Sequence, residues 1–102
     1  MKAGLPAVAL VLGLVWPALA EVSFAGGDGR TKATAVLVQG AKSDPEGVDA
    51  EYRWLDQHYP GLRATDQALL QDGSRIYDRL HLQSGARRIE VYFDITAFFG
   101  KP

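Results

Sequence analysis

The chain predicts an α+β domain, with one helix packed on a four-stranded, mainly antiparallel sheet in the order β-α-β-β-β. Three observations predict it. Ser43-Asp44-Pro45-Glu46 is a helix start, and apolar residues follow it at helical spacing. Two glycine turns, Asp72-Gly73 and Ser84-Gly85-Ala86-Arg87, divide the second half of the chain into hairpins. Around them apolar and polar residues alternate, most regularly at Ile89, Val91, Phe93 and Ile95.

Each element has a local reason. Residues 21–32 read as an irregular lead-in, because Gly26-Gly27-Asp28-Gly29 holds regular structure only at an entropic cost. Thr34 to Gln39 is a short apolar run rich in β-branched residues, and Gly40 ends it. In the helix, Ser43 and Glu46 have capping-box spacing and Asp44 is a second capping residue. Val48, Tyr52, Leu55 and Tyr59 share one face, and Pro60-Gly61 stops the helix. Trp54 lies about 120° round the helix from Val48. It is therefore either covered by the segment around Phe24 or exposed to a partner.

Three strands are expected over 66–71, 75–83 and 88–95. The second turn sets Leu82 against Ile89, Leu80 against Val91 and Ile76 against Ile95, while His81 meets Glu90, Arg79 meets Tyr92 and Tyr77 meets Asp94. Centring the first turn on Asp72-Gly73 sets Leu69 against Ile76 and Asp66 against Arg79. The helix is expected on the Leu69, Ile76, Leu80, Leu82, Val91 and Phe93 face.

The sequence of 102 residues holds 11 basic and 12 acidic side chains and no cysteine. That balance gives no electrostatic reason to expect nucleic acid, and the fold must form without disulfides. Lys2, the apolar run from Leu5 to Val15, Pro17 and Ala18-Leu19-Ala20 read as an export signal cleaved after Ala20. Residues 21–102 are then a single globular domain, periplasmic or secreted, with no stable membrane anchor after cleavage.

Chemistry is sparse. Asp78 breaks the apolar row between Ile76 and Leu80. It is either an acid with a raised pKa or a buried acceptor satisfied by backbone amides or tyrosines. On the opposite face, Tyr77, Arg79, His81, Tyr92 and Asp94, with Glu90 and Asp66, form a polar and aromatic patch. A His beside a Glu can act as a general base, but cross-strand pairs of this kind are also ordinary surface stabilisers. His58 and His81 lack metal-ligand spacing, and no nucleophile motif is present. No catalytic residue, metal site or cofactor is therefore assigned. The binding candidates are Trp54, Tyr77, Arg79, His81, Tyr92 and Asp94.

The glycine-rich Gly26 to Gly29, the strand at Ala35 to Gln39, and the segment from Tyr92 to Lys101 together resemble a group of small exported bacterial proteins of no assigned function. That resemblance implies no catalytic or ligand residues. The helix followed by a meander is similar to the cystatin-like arrangement. Val36-Leu37-Val38-Gln39-Gly40 does not match the cystatin Gln-x-Val-x-Gly loop, so protease inhibition is not implied. The expected function is a small exported, non-enzymatic binding or accessory domain with a protein partner. Its rivals are a small hydrolase or isomerase using Asp78 or His81 and Glu90, and an inhibitor or immunity-type protein.

Overall fold

The computed structural model describes residues 22–102, so the expected export signal lies outside the described residues. The elements in chain order are β1 (Ser23–Gly26), β2 (Val36–Gln39), α1 (Asp44–His58), β3 (Arg63–Asp72), β4 (Arg75–Ser84) and β5 (Arg87–Asp94). The fold is α+β, one helix on one sheet, as the pattern predicts. The sheet has five strands rather than four, in the order β1-β2-β5-β4-β3.

The additional strand comes from the segment expected to be irregular. Ser23 to Gly26 pairs antiparallel with β2, Phe24 opposite Val38. The strand stops at Gly26, before the Gly-Asp-Gly turn begins. The sheet is also mixed. β2 runs parallel to β5, with Val36 opposite Phe93 and Leu37 opposite Asp94. A simple helix-and-meander contains no such parallel pair. Among the described residues, no helix is long and apolar enough to cross a membrane.

The β4–β5 ladder has the register expected around Gly85-Ala86. Leu80 faces Val91, Leu82 faces Ile89, His81 faces Glu90 and Tyr77 faces Asp94. The β3–β4 register differs by two residues, with Leu69 opposite Asp78 and Asp66 opposite His81. Gly73, at φ +62°, occupies the first central position of the turn, and Asp72 pairs with Arg75. Positive φ at the first central residue is what the favoured hairpin turns require, and glycine supplies it without strain. A shift of two keeps every side chain on its expected face.

The helix starts at Ser43, whose hydroxyl accepts from the Glu46 amide at 3.3 Å, while Glu46 Oε1 accepts from the Lys42 amide. Asp44 does not cap. Its carboxylate accepts from the Gly100 amide and holds the C-terminal tail against the first turn.

The buried helix face is Gly47, Ala50, Glu51, Trp54 and Leu55, not the face of Val48 and Tyr52, which are exposed. This rotation puts Trp54, the largest side chain of the helix, into the core, while Leu55 stays on the buried face as expected. Trp54 packs edge-on against Phe93 at 5.5 Å between ring centroids. Gly47 leaves room for the Phe98 ring, which sits where a Cβ would be. The helix thus covers β2, β5 and β4 through a core of Val36, Val38, Leu80, Leu82, Val91 and Phe93. It leaves β3 uncovered. The inward row of β3 is Gln67, Leu69 and Gln71, too polar to draw the helix across, and Leu69 is exposed rather than in the core.

Candidate functional site

Two parts of the molecule gather polar chemistry. The first is the outer sheet face. His81 Nε2 lies 2.7 Å from Glu90 Oε2, and Nδ1 lies 3.4 Å from Asp66 Oδ2. The Tyr92 hydroxyl donates to Glu90 Oε1 at 3.2 Å. The hydrogen bond to His81 is the main reason the Glu90 carboxyl is held below its ordinary value. Arg75 donates through Nε and Nη2 to Asp94 Oδ2 at 2.9 and 2.6 Å. The Thr96 amide and hydroxyl donate to Asp94 Oδ1 at 3.0 and 2.6 Å. Burial pushes the Asp94 carboxyl up, but these donors outweigh it and hold it low. Lys32 Nζ lies 6.0 Å from the centre of the Tyr77 ring, and Arg79 Nε is buried without a hydrogen bond.

A cavity of about 400 Å³ lies at the end of the β4–β5 hairpin, lined by His81, Glu90, Arg30 and Arg88 among others. His81 and Glu90 are already engaged with each other. A His that bridges two carboxylates ties β3, β4 and β5 together across the ladder, and that is a structural role. Of the residues expected to bind, Tyr77, Arg79, His81, Tyr92 and Asp94 do lie on this face. Trp54 does not. It is 6% exposed, stacked on His58 at 3.9 Å, and belongs to the core.

The second gathering is at the inner face, where α1 stops short of β3. Glu51 on α1 and Asp78 on β4 meet there, 1% and 2% exposed. Gln67 Nε2 donates to Asp78 Oδ1 at 2.8 Å, so Asp78 is satisfied by an amide side chain of the neighbouring strand rather than by backbone or tyrosine. Glu51 Oε2 is buried and accepts no hydrogen bond. Burial, and then the hydrogen bond and charge of Asp78, push the Glu51 carboxyl from 4.5 up to about 10. A carboxyl raised this far keeps its proton at neutral pH and can donate it toward Asp78.

The pair closes one end of a cleft of about 280 Å³. Val48, Leu69, Ile95, Phe98 and Phe99 form its apolar walls, and Asp44 and Gln67 complete it. Leu69 and Phe99, 55% and 42% exposed, stand at the open side. The Tyr52 hydroxyl is shifted upward, by burial first and then by the charges of Glu51 and Asp78. Among the described residues, no group of His, Asp or Glu side chains is placed to hold a metal ion, the three acids of this cleft included.

Glu51 is the residue that sequence reasoning missed. The signal available was the spacing Gly47, Ala50, Glu51, Trp54, Leu55, a second helical stripe carrying one acid, placed to face the acid that interrupts β4. Comparisons with protein-family models, with curated proteins and with solved structures found no match to the chain. The functional reading therefore rests on the geometry of this chain.

Proposed function

We propose that the domain is a small non-enzymatic binding module, acting outside the cytoplasm after loss of residues 1–20, and that it binds through the α1–β3 cleft. One observation carries the site. Among the described residues, three of the four large exposed hydrophobic side chains, Val48, Leu69 and Phe99, line this cleft, together with the buried carboxyls of Glu51 and Asp78. Apolar surface left uncovered in a cluster, with a few convergent polar groups, is the usual form of a ligand site. The outer face offers a protein partner less, because its polar groups engage one another.

The catalytic alternative has a specific observation behind it, two carboxyls sharing a proton beside a cavity. The magnitude argues against it. A general acid works best with a pKa near the working pH. Burial and Asp78 push the Glu51 carboxyl past that range, to about 10.

The test is titration of the mature chain with 2-phenylethanol, followed by amide and methyl NMR shifts. Shifts at Val48, Leu69 and Phe99, lost in Leu69→Ser and Phe99→Ser with the melting temperature unchanged, are expected. Shifts centred on Tyr77, His81 and Tyr92 would move the site to the outer face. The location is tested separately: intact mass of the exported chain should begin at Glu21.

A further inference from the structure

The cleft has a chemical polarity that narrows its ligand. Three of its lining residues are acids, Asp44, Glu51 and Asp78, and none is Lys, Arg or His. Asp44 is engaged with the Gly100 amide and Asp78 Oδ1 with Gln67. Glu51 lines the cleft, and its Oε2 is buried and accepts no hydrogen bond. A volume of 280 Å³ has room for roughly nine water-sized groups at ~30 Å³ each. Glu51 and Asp78 are buried beside Ile95 and Phe98, and the exposed Val48, Leu69 and Phe99 stand at the mouth.

Resting on the cleft being the binding site, we propose that it binds a small organic amine. Its ammonium replaces the proton that Glu51 shares with Asp78, and its short apolar body lies between Val48, Leu69 and Phe99. The exchange balances. The Glu51 O–H bond breaks and the proton leaves to solvent; the ammonium brings one positive charge and donates to Glu51 and to Asp78. The charge enclosed in the cleft is the same before and after, so no new net charge is buried; the contacts of the ammonium have to offset the removal of the proton from Glu51, a cost that falls as pH rises. A neutral alcohol cannot supply the charge, and an anion meets three acids. The groups facing Glu51 are Asp78 from β4 and, on its own helix, Tyr52, with Asp44 on the same cleft. None of them supplies a competing cation.

Because binding releases a proton, affinity should rise with pH for as long as the amine stays protonated. The test is calorimetry on the mature chain with three probes of similar size: 2-phenylethylammonium, 2-phenylethanol and phenylacetate. The ammonium should bind about tenfold or more tighter than the alcohol, and phenylacetate weakest. In buffers of different ionisation enthalpy the ammonium, and not the alcohol, should show proton release.

Glu51→Gln keeps the shape of the protonated acid and should abolish both the preference and the release, while binding of the alcohol persists. Asp78→Asn should abolish the preference. Should either variant unfold, the buffer series on the unaltered chain still decides. Ammonium binding no tighter than the alcohol, or binding without proton release, overturns the proposal and leaves the cleft intact as a site. If no probe binds at the cleft, both readings fall.

Discussion

Glu51 takes up a proton on folding, and that sets a pH dependence of definite sign. Its carboxyl is raised from 4.5 to about 10. The folded state therefore holds the proton more tightly than the unfolded state. The stabilisation is complete below the ordinary value and is lost as pH rises toward the folded one. At pH 7 the folded chain is less stable from this source by roughly 3 kcal/mol than in acid. Glu90 and Asp94 are shifted down, so their contribution is lost only as pH falls below the ordinary carboxylate range. The two windows do not overlap. Glu51→Gln should thus flatten the urea midpoint between about pH 5 and 9 and stabilise the chain at pH 7 by ~1–3 kcal/mol. A variant as pH-dependent as the parent would show that Glu51 is ionised in the fold. At this scale the sequence was half legible. Asp78 stands out because it interrupts an apolar row. Glu51 sits among Asp49, Tyr52 and Arg53 and looks like any solvated helix residue. Nothing in its neighbours along the chain states that a carboxyl waits across the core.

The same rotation explains the elements. Val48 and Tyr52 outweigh Gly47 and Glu51 on any hydrophobicity scale, so the wrong face of α1 reads as the core face. What turns the helix is Trp54 against Phe93 and the Phe98 ring seated on Gly47. A glycine-to-alanine change inside a helix ordinarily stabilises, by about 1 kcal/mol. Gly47→Ala should instead destabilise, by ~1–3 kcal/mol, because the added methyl collides with Phe98 and overpacks the site. A thermal melt of this variant decides; a raised melting temperature would mean that the tail gives way freely. The two phenylalanines divide as their adjacency requires, one inward and one outward. Phe98→Ala should cost about 3–5 kcal/mol and Phe99→Ala less than ~1, read from the same melts. The buried ring packs on the first turn of α1, to which Asp44 fastens the tail through Gly100. In the sheet, the β4–β5 register was legible because alternation and turn agree there. In β3, polar residues on both faces leave the turn to decide, and placing Gly73 second rather than first in the turn moves the register by two.

The whole molecule is closed by the pairing least visible in the sequence, the parallel contact of β2 with β5. Only two residue pairs form it, and β2 begins at Val36. Beyond Val36 the edge of β5 would be open, but Gly29 fills the place. Its carbonyl accepts the Tyr92 amide at 2.6 Å, and its own amide donates to Thr34 at 2.7 Å. Gly29 is buried with φ +82°, and a Cβ there would lie 2.9 Å from Val91 Cγ1 and 3.0 Å from Val36 Cγ2. The glycine-rich segment is thus a plug between the two strands, made of glycine because both the backbone and the space demand it. Gly29→Ala meets both penalties, the positive φ of ~1–2 kcal/mol and the overpacking of two core valines of ~1–3 kcal/mol. Gly61, at φ +88° with open space round its Cβ position, meets only the first. Alanine at Gly29 should therefore destabilise by about 1–3 kcal/mol more than alanine at Gly61. The two positions also differ in where the loss is felt. Hydrogen exchange at the Tyr92 amide should accelerate in Gly29→Ala beyond that of Leu80 and Leu82, because the seam opens locally before the β4–β5 hairpin does. In Gly61→Ala all core amides should lose protection together. Equal and uniform loss in the two variants would mean that the plug is a surface turn, and that β2 is held to β5 by its two ladder pairs alone.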